Sequence, residues 1–181
     1  MTTTVLPLIC HGVPPEGLAR NLVGRTVTAY AMPPKHSLEA AWLFTLYFED
    51  GGNLEFWSEF YNTAGWNELG VLVVSSLGEA VEGRSVNLEQ FRVEIPSIRI
   101  AGCRKLLCEE DGFLAEYGLL LAGEDEENLI IAAGISPGSV SVSRHPTRAT
   151  SARCSTFPTA LGKSWMREAL VGQRRSSALR F

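Results

Sequence analysis

Four groups of residues in this chain are of types that could do chemistry. Gly134-Ile135-Ser136-Pro137-Gly138 has the GxSxG spacing of a serine nucleophile elbow, in which a strand delivers the serine to a tight turn and a helix leads away. In that geometry the residue after the serine donates its backbone N–H to the oxyanion, and here it is Pro137, which has none. Val140 to Ser143, which follows, reads as a strand and not as a helix. The sequence therefore predicts a plain turn, with Pro137 and Gly138 at the central positions of a type II turn, and no hydrolysis through Ser136.

The other three groups fail for similar reasons. Leu161-Gly162-Lys163-Ser164 has the ending of a phosphate-binding loop, but Phe157 stands where the first glycine is needed and no strand precedes it. Cys10 adjoins His11, Cys103 and Cys108 form one loose pair, and His145 and Cys154 are isolated, so the two close ligand pairs of a zinc site are missing. No metal and no cofactor is expected, and the thiols read as reduced, small apolar groups. The carboxylates Glu109, Glu110 and Asp111, and Glu124, Asp125, Glu126 and Glu127, fall in two loops at opposite ends of a predicted strand. Loop carboxylates stay ionised in water, whereas a catalytic acid needs a cleft that raises its pKa. The sequence favours a protein without catalysis.

Charge points to a partner instead. Residues 1 to 143 carry 8 basic and 19 acidic residues, a net of −11, while residues 144 to 181 carry 8 basic residues and one acidic residue, a net of +7. An acidic body does not suit nucleic acid, whose phosphates demand a positive footprint, and it does suit a basic protein. The alternative is that the basic tail folds over the acidic body and neutralises it. No apolar run reaches membrane-spanning length, and MTTTVLPLICHG lacks the basic start and long apolar stretch of a secretory signal, so no membrane contact and a cytoplasmic location are expected.

The elements that position these residues centre on Trp42 to Phe60, WLFTLYFEDGGNLEFWSEF. A three-residue loop of Asp50, Gly51 and Gly52 pairs Phe48 with Leu54, Leu46 with Phe56, Phe44 with Ser58 and Trp42 with Phe60, an apolar face. A two-residue loop would place Glu55 and Glu59 opposite phenylalanines. The expected turn is type I followed by a left-handed glycine, Gly52. The opposite face carries Leu43, Thr45, Tyr47, Glu55, Trp57 and Glu59, either half covered or meeting a partner.

Elsewhere, Val5 to Ile9 reads as a strand, and Pro14 to Leu22 as a short helix stopped by Gly24. Gly24 to Met32 alternates as a strand. Val71 to Val74 has the continuous apolar run of a strand buried on both faces. Residues 77 to 85 read as a turn. Val86 to Ile100 reads as two strands or one bent strand with Pro96 at an edge or bulge, and 103 to 108 as irregular. Glu109 to Gly112 is a turn signal. Glu116 to Ala122, Leu129 to Ile135 and Val140 to Ser143 form a meander. Beyond Arg144 a linker leads to a helix from Pro158 to Val171 anchored by Trp165, and then to a polar tail.

The expected fold class is thus α+β: a mainly antiparallel, curved or two-layer sheet built from hairpins, with a short N-terminal helix and a C-terminal helix. Residues 1–143 form the strand-rich acidic domain, and 144–181 a basic linker, helix and tail packed on it. The expected function is non-catalytic protein binding, as by an acidic inhibitor or immunity protein for a basic toxin or nuclease. Its contacts would be Glu55, Trp57, Glu59, Glu124, Asp125, Glu126 and Glu127, because these combine charge for steering with an aromatic anchor. The alternative is a small-molecule-binding or enzymatic domain using an aromatic-lined site around Trp42 to Trp66. Association of like copies through an uncovered strand edge is a third reading.

Overall fold

The computed structural model describes residues 3–62, 68–76, 89–110, 112–125, 127–134, 136, 138–146 and 165–169, of which 68, 110, 146 and 165–169 are described by their backbone alone. Trp66, the segment 77–85, Asp111, Glu126, Pro137 and the tail beyond 146 other than 165–169 lie outside the described residues. Strands make up 68% and helix 4% of the described residues, which overturns the α+β expectation in favour of a nearly all-β fold. The N-terminal helix exists but is a single turn, α1 (Leu18–Leu22), whose two leucines are buried and whose chain leaves through Gly24 at φ +89°. Of the stretch expected to be a C-terminal helix, Trp165–Ala169 is instead a strand, β11. Gly162 and the β-branched and aromatic residues around that stretch weaken a helix, and pairing with an existing strand overrides its 3.6-residue pattern.

Among the described residues eleven strands form two sheets that share one long strand. The front sheet runs in the order β7 (Phe91–Glu110), β3 (Thr26–Met32), β4 (Phe44–Phe48), β5 (Asn53–Asn62), β6 (Glu68–Ser76) and β2 (Ile9–His11). The back sheet is the expected meander of β8 (Phe113–Gly123), β9 (Glu127–Ala133) and β10 (Val140–Pro146), laid on the second half of β7; β1 (Thr4–Leu6) pairs with β8 and β11 with β7. Every pairing is antiparallel except β1 with β8 and β2 with β6. Residues 103 to 108 are therefore strand, with a register shift against β8 between Leu106 and Leu107 that retains part of the expected irregularity. They take their register from β8, which the local pattern did not reveal. Pro96 lies where β7 slips against β3, between the pairs Val27–Ile98 and Ala29–Glu94; a residue without an N–H is tolerated at such an irregularity.

The hairpin of β4 and β5 keeps the expected turn but moves it by one residue. Phe48 N donates to Gly52 O and Gly51 N to Phe48 O, so the loop is Glu49, Asp50 and Gly51, and Gly51 takes φ +83°. The register is accordingly Phe44–Phe56 and Leu46–Leu54. This shift of two in register leaves every side chain on its expected face, since faces alternate with period two. Asp50 accounts for the choice. It accepts the Gly52 N–H at 2.9 Å and the Arg25 Nε and Nη2 at 2.8 and 2.7 Å, tying the turn to the start of β3. Trp42, expected on the buried face opposite Phe60, lies before β4 and is 65% exposed, and Phe60 is 50% exposed.

One core fills the space between the sheets. Phe44, Leu46, Phe56, Leu72 and Val74 from the front meet Leu119, Leu121, Leu129, Ile131, Val140 and Val142 from the back, and Leu18 and Leu22 of α1 join the same cluster. At Gly70 the sheets approach so closely that a Cβ would lie 2.7 Å from that of Ala133. β6 is buried on both faces as its apolar run predicts, with Val71 to Val74 fully enclosed. The chain crosses between sheets at two places. Among the described residues β7 is one, and the β3–β4 connection, where Ala41 bridges to Val140, touches the back sheet too; the N-terminal segment is the other: β1 lies on the back sheet and β2, after two intervening residues, on the front. Between them, Leu8 N donates to Glu116 Oε2 at 2.9 Å, the oxygen that Lys105 Nζ also reaches at 2.6 Å.

Candidate binding face

The outward face of the front sheet can be laid out from the register alone. Side chains of directly paired residues point to the same side, so one row reads Arg92, Ala31, Thr45, Glu55, Ser75, His11 across six strands. The row on one side reads Glu94, Ala29, Tyr47, Asn53, and the row on the other Trp57, Val73, Ile9. Beyond Trp57, β5 carries Glu59 and Tyr61 on this same face.

β3 contributes only Ala29 and Ala31 here, and larger neighbours cover them from both sides. Arg92 reaches from β7 so that its guanidinium carbon stands 4.5 Å from the Tyr47 ring centroid, with Glu94 Oε1 accepting from Arg92 Nε at 2.9 Å. Thr45 Oγ1, fully buried, donates to Gln90 Oε1 at 2.9 Å. At the other edge the His11 ring lies parallel to the Trp57 indole with centroids 5.9 Å apart. Trp57 is only 8% exposed, so this ring is part of the packed layer and does not project from it. Glu59 is exposed and Tyr61 is 42% exposed, while their cross-strand partners on this face, Val71 and Leu69, are buried.

The expected contact residues therefore separate into two places. Glu55, Trp57 and Glu59 share the outward face, with Glu55 half-buried in the polar row. The loop between β8 and β9 lies elsewhere, and its acids are partly answered within the chain: Arg99 Nε stands 3.1 Å from Glu124, and Glu127 is paired with Arg144. Asp125 is exposed, and Glu126 lies outside the described residues. The basic stretch after residue 143 thus meets the acidic body at Arg144, and again where β11 lies along β7.

Sequence reasoning missed the large apolar side chains left in solvent at one end of the front sheet. Trp42 before β4, Phe60 and Tyr61 at the end of β5, and Phe91 and Val93 at the start of β7 all sit at the end where β3 and β5 finish. Phe91 is 60% exposed. Nothing local distinguishes it from a core residue of an alternating strand; its exposure follows from Phe91 pairing with Met32, the last residue of β3. Trp42 is held by His36, whose ring meets it edge-on at 5.1 Å.

Two of the cysteines are held in their thiol form. Burial pushes the Cys103 and Cys10 thiols up to about 11, against the opposing influence of the nearby Lys105 ammonium, so both are protonated at neutral pH. Ser136 lies in a turn whose Ser139 N donates back to Ser136 O at 3.0 Å, with Gly138 at φ +76°, and strand β10 follows where an elbow requires a helix. Among the described residues no three His, Cys, Asp or Glu side chains come together as a metal site, and no helix is long and apolar enough to cross a membrane. A groove of about 580 Å³ runs between α1 and the β4–β5 turn, floored by Leu18, Leu22 and Leu54 and rimmed by Asn21, Arg25 and Asn53. It lies apart from Trp42 and Trp57. Comparison with family models, with curated proteins and with solved structures finds no match for the chain.

Proposed function

We propose that this chain is a non-catalytic binding protein whose partner is a basic protein, engaged through the outward face of the front sheet at the end of β5. The observation that carries this reading is the placement of Glu59 and Tyr61. They stand exposed beside the buried Trp57, which stacks on His11, on a body that carries a net of −11 over residues 1–143. Aromatic rings on a packed strand lose little side-chain entropy on binding, and acidic residues around them steer a basic partner and exclude acidic ones. An acidic inhibitor or immunity protein acting on a basic toxin or nuclease is the role that fits this combination.

The experiment is capture at low salt with the full chain, followed by identification of whatever is bound and its pI. A basic protein retained by the wild type and by Asp125→Lys, and lost with Glu59→Lys, supports the reading. Retention by Glu59→Lys, or tight binding of a small molecule in the groove beside α1 with no protein partner, overturns it.

A further inference from the structure

Twice within this fold an arginine is received in the same way. Arg25 lies with its guanidinium carbon 3.7 Å from the Phe48 ring centroid while Asp50 accepts two of its N–H groups. Arg92 lies over Tyr47 while Glu94 accepts from its Nε. In each case a ring face supports the planar cation and a carboxylate fixes its edge. A guanidinium suits this combination better than an ammonium, because it is planar, weakly hydrated and can donate in a fork.

Glu59 and Tyr61 present the same two groups outward. They are two residues apart on one regular strand, paired with Val71 and Leu69, so their side chains leave the same face about 7 Å apart. Glu59 is exposed and Tyr61 is 42% exposed beside the buried Val71 and Leu69, and Trp57, the next residue on that face, closes the site on one side with a buried, stacked ring. We propose that Glu59 and Tyr61 form a receptor for an arginine side chain of the partner, with the guanidinium lying on the Tyr61 ring and donating to the Glu59 carboxylate. This rests on the binding face described above and adds the partner's chemistry: arginine, in preference to lysine, is the residue that docks at the end of β5.

The test uses the full chain with two probes of equal charge, tetra-arginine and tetra-lysine peptides, by calorimetric titration at low salt with NMR mapping of shifted amides. Tetra-arginine should bind about three- to tenfold more tightly, as expected for one stacked and hydrogen-bonded guanidinium. The preference should fall to about unity in Glu59→Gln and in Tyr61→Leu, which keeps apolar bulk and removes the ring. Glu59→Gln should melt at the wild-type temperature, since Glu59 is exposed, and Tyr61→Leu within a few degrees of it, since leucine keeps most of the apolar contact of a ring that is 42% exposed. Equal affinity for the two peptides, with salt-sensitive shifts still at this face, would sink the arginine receptor and leave the binding face standing. Peptide shifts located only elsewhere on the chain would remove both.

Discussion

Phe56 and Phe60 lie on one strand and one face, four residues apart, and the fold assigns them opposite fates: Phe56 is fully buried between the sheets and Phe60 is 50% exposed past their edge. Truncating Phe56 to alanine removes roughly 150 Å² of apolar surface from the interior, worth about 4 kcal/mol at ~25 cal/mol per Å². It also opens a cavity against Phe44, whose ring centroid is 6.4 Å away, so the loss should fall at about 3–5 kcal/mol. Phe60→Ala gives up about half the transfer term and encloses no cavity, which leaves about 2 kcal/mol. Urea unfolding of the two variants, with the slope held equal, reads the difference directly. Comparable losses in both would mean that the back sheet does not end where Ser58 Oγ donates to Ser139 O, and the packing described here would be wrong.

Three further outcomes follow from single contacts. Glu116→Ala strips the shared acceptor from Leu8 N and Lys105 Nζ, both at a largely enclosed site, and should cost about 2–4 kcal/mol; the amide of Leu8 should exchange with solvent far faster than in the wild type, and unchanged exchange would show that Glu116 does not hold the N-terminal segment. Gly70→Val should destabilise by about 1–3 kcal/mol, because a Cβ there meets Ala133 at 2.7 Å; a neutral result in thermal melts would refute the close approach of the sheets. Cys10 and Cys103 have folded pKa values raised from 9.0 to about 11, so the stability they contribute is whole below pH 9 and is lost as pH rises from 9 toward 11. Thiolate absorbance of the native chain in Cys→Ser variants should show both titrating near the upper limit, and thiolates present at pH 9 would contradict their burial.

Strand identity was legible wherever side chains alternate between a wet and a dry face, as in Thr26–Met32, or run continuously apolar, as in Val71 to Val74. Pairing was less so. The β4–β5 register depended on which glycine takes positive φ, and that was decided by Arg25 reaching Asp50 from 25 residues away, a contact no window of the hairpin contains. β11 carried a helical pattern because its strand character comes from β7, not from its own residues. The candidate face was half readable: alternation alone put Glu55, Trp57 and Glu59 on one side. The burial of Trp57 needed His11, brought alongside through β6, and the isolation of Glu59 with Tyr61 needed the end of the sheet to be known.

Hydrogen-exchange mapping of the full chain, free and bound to the basic protein it captures, at low and at high salt, tests the binding face most directly. Protection should concentrate on β5 from Trp57 to Asn62 and on the facing residues of β6, and should fade as salt screens the acidic body. Protection confined to α1 and the β4–β5 turn, or to the loop between β8 and β9, and unchanged by salt, would contradict it.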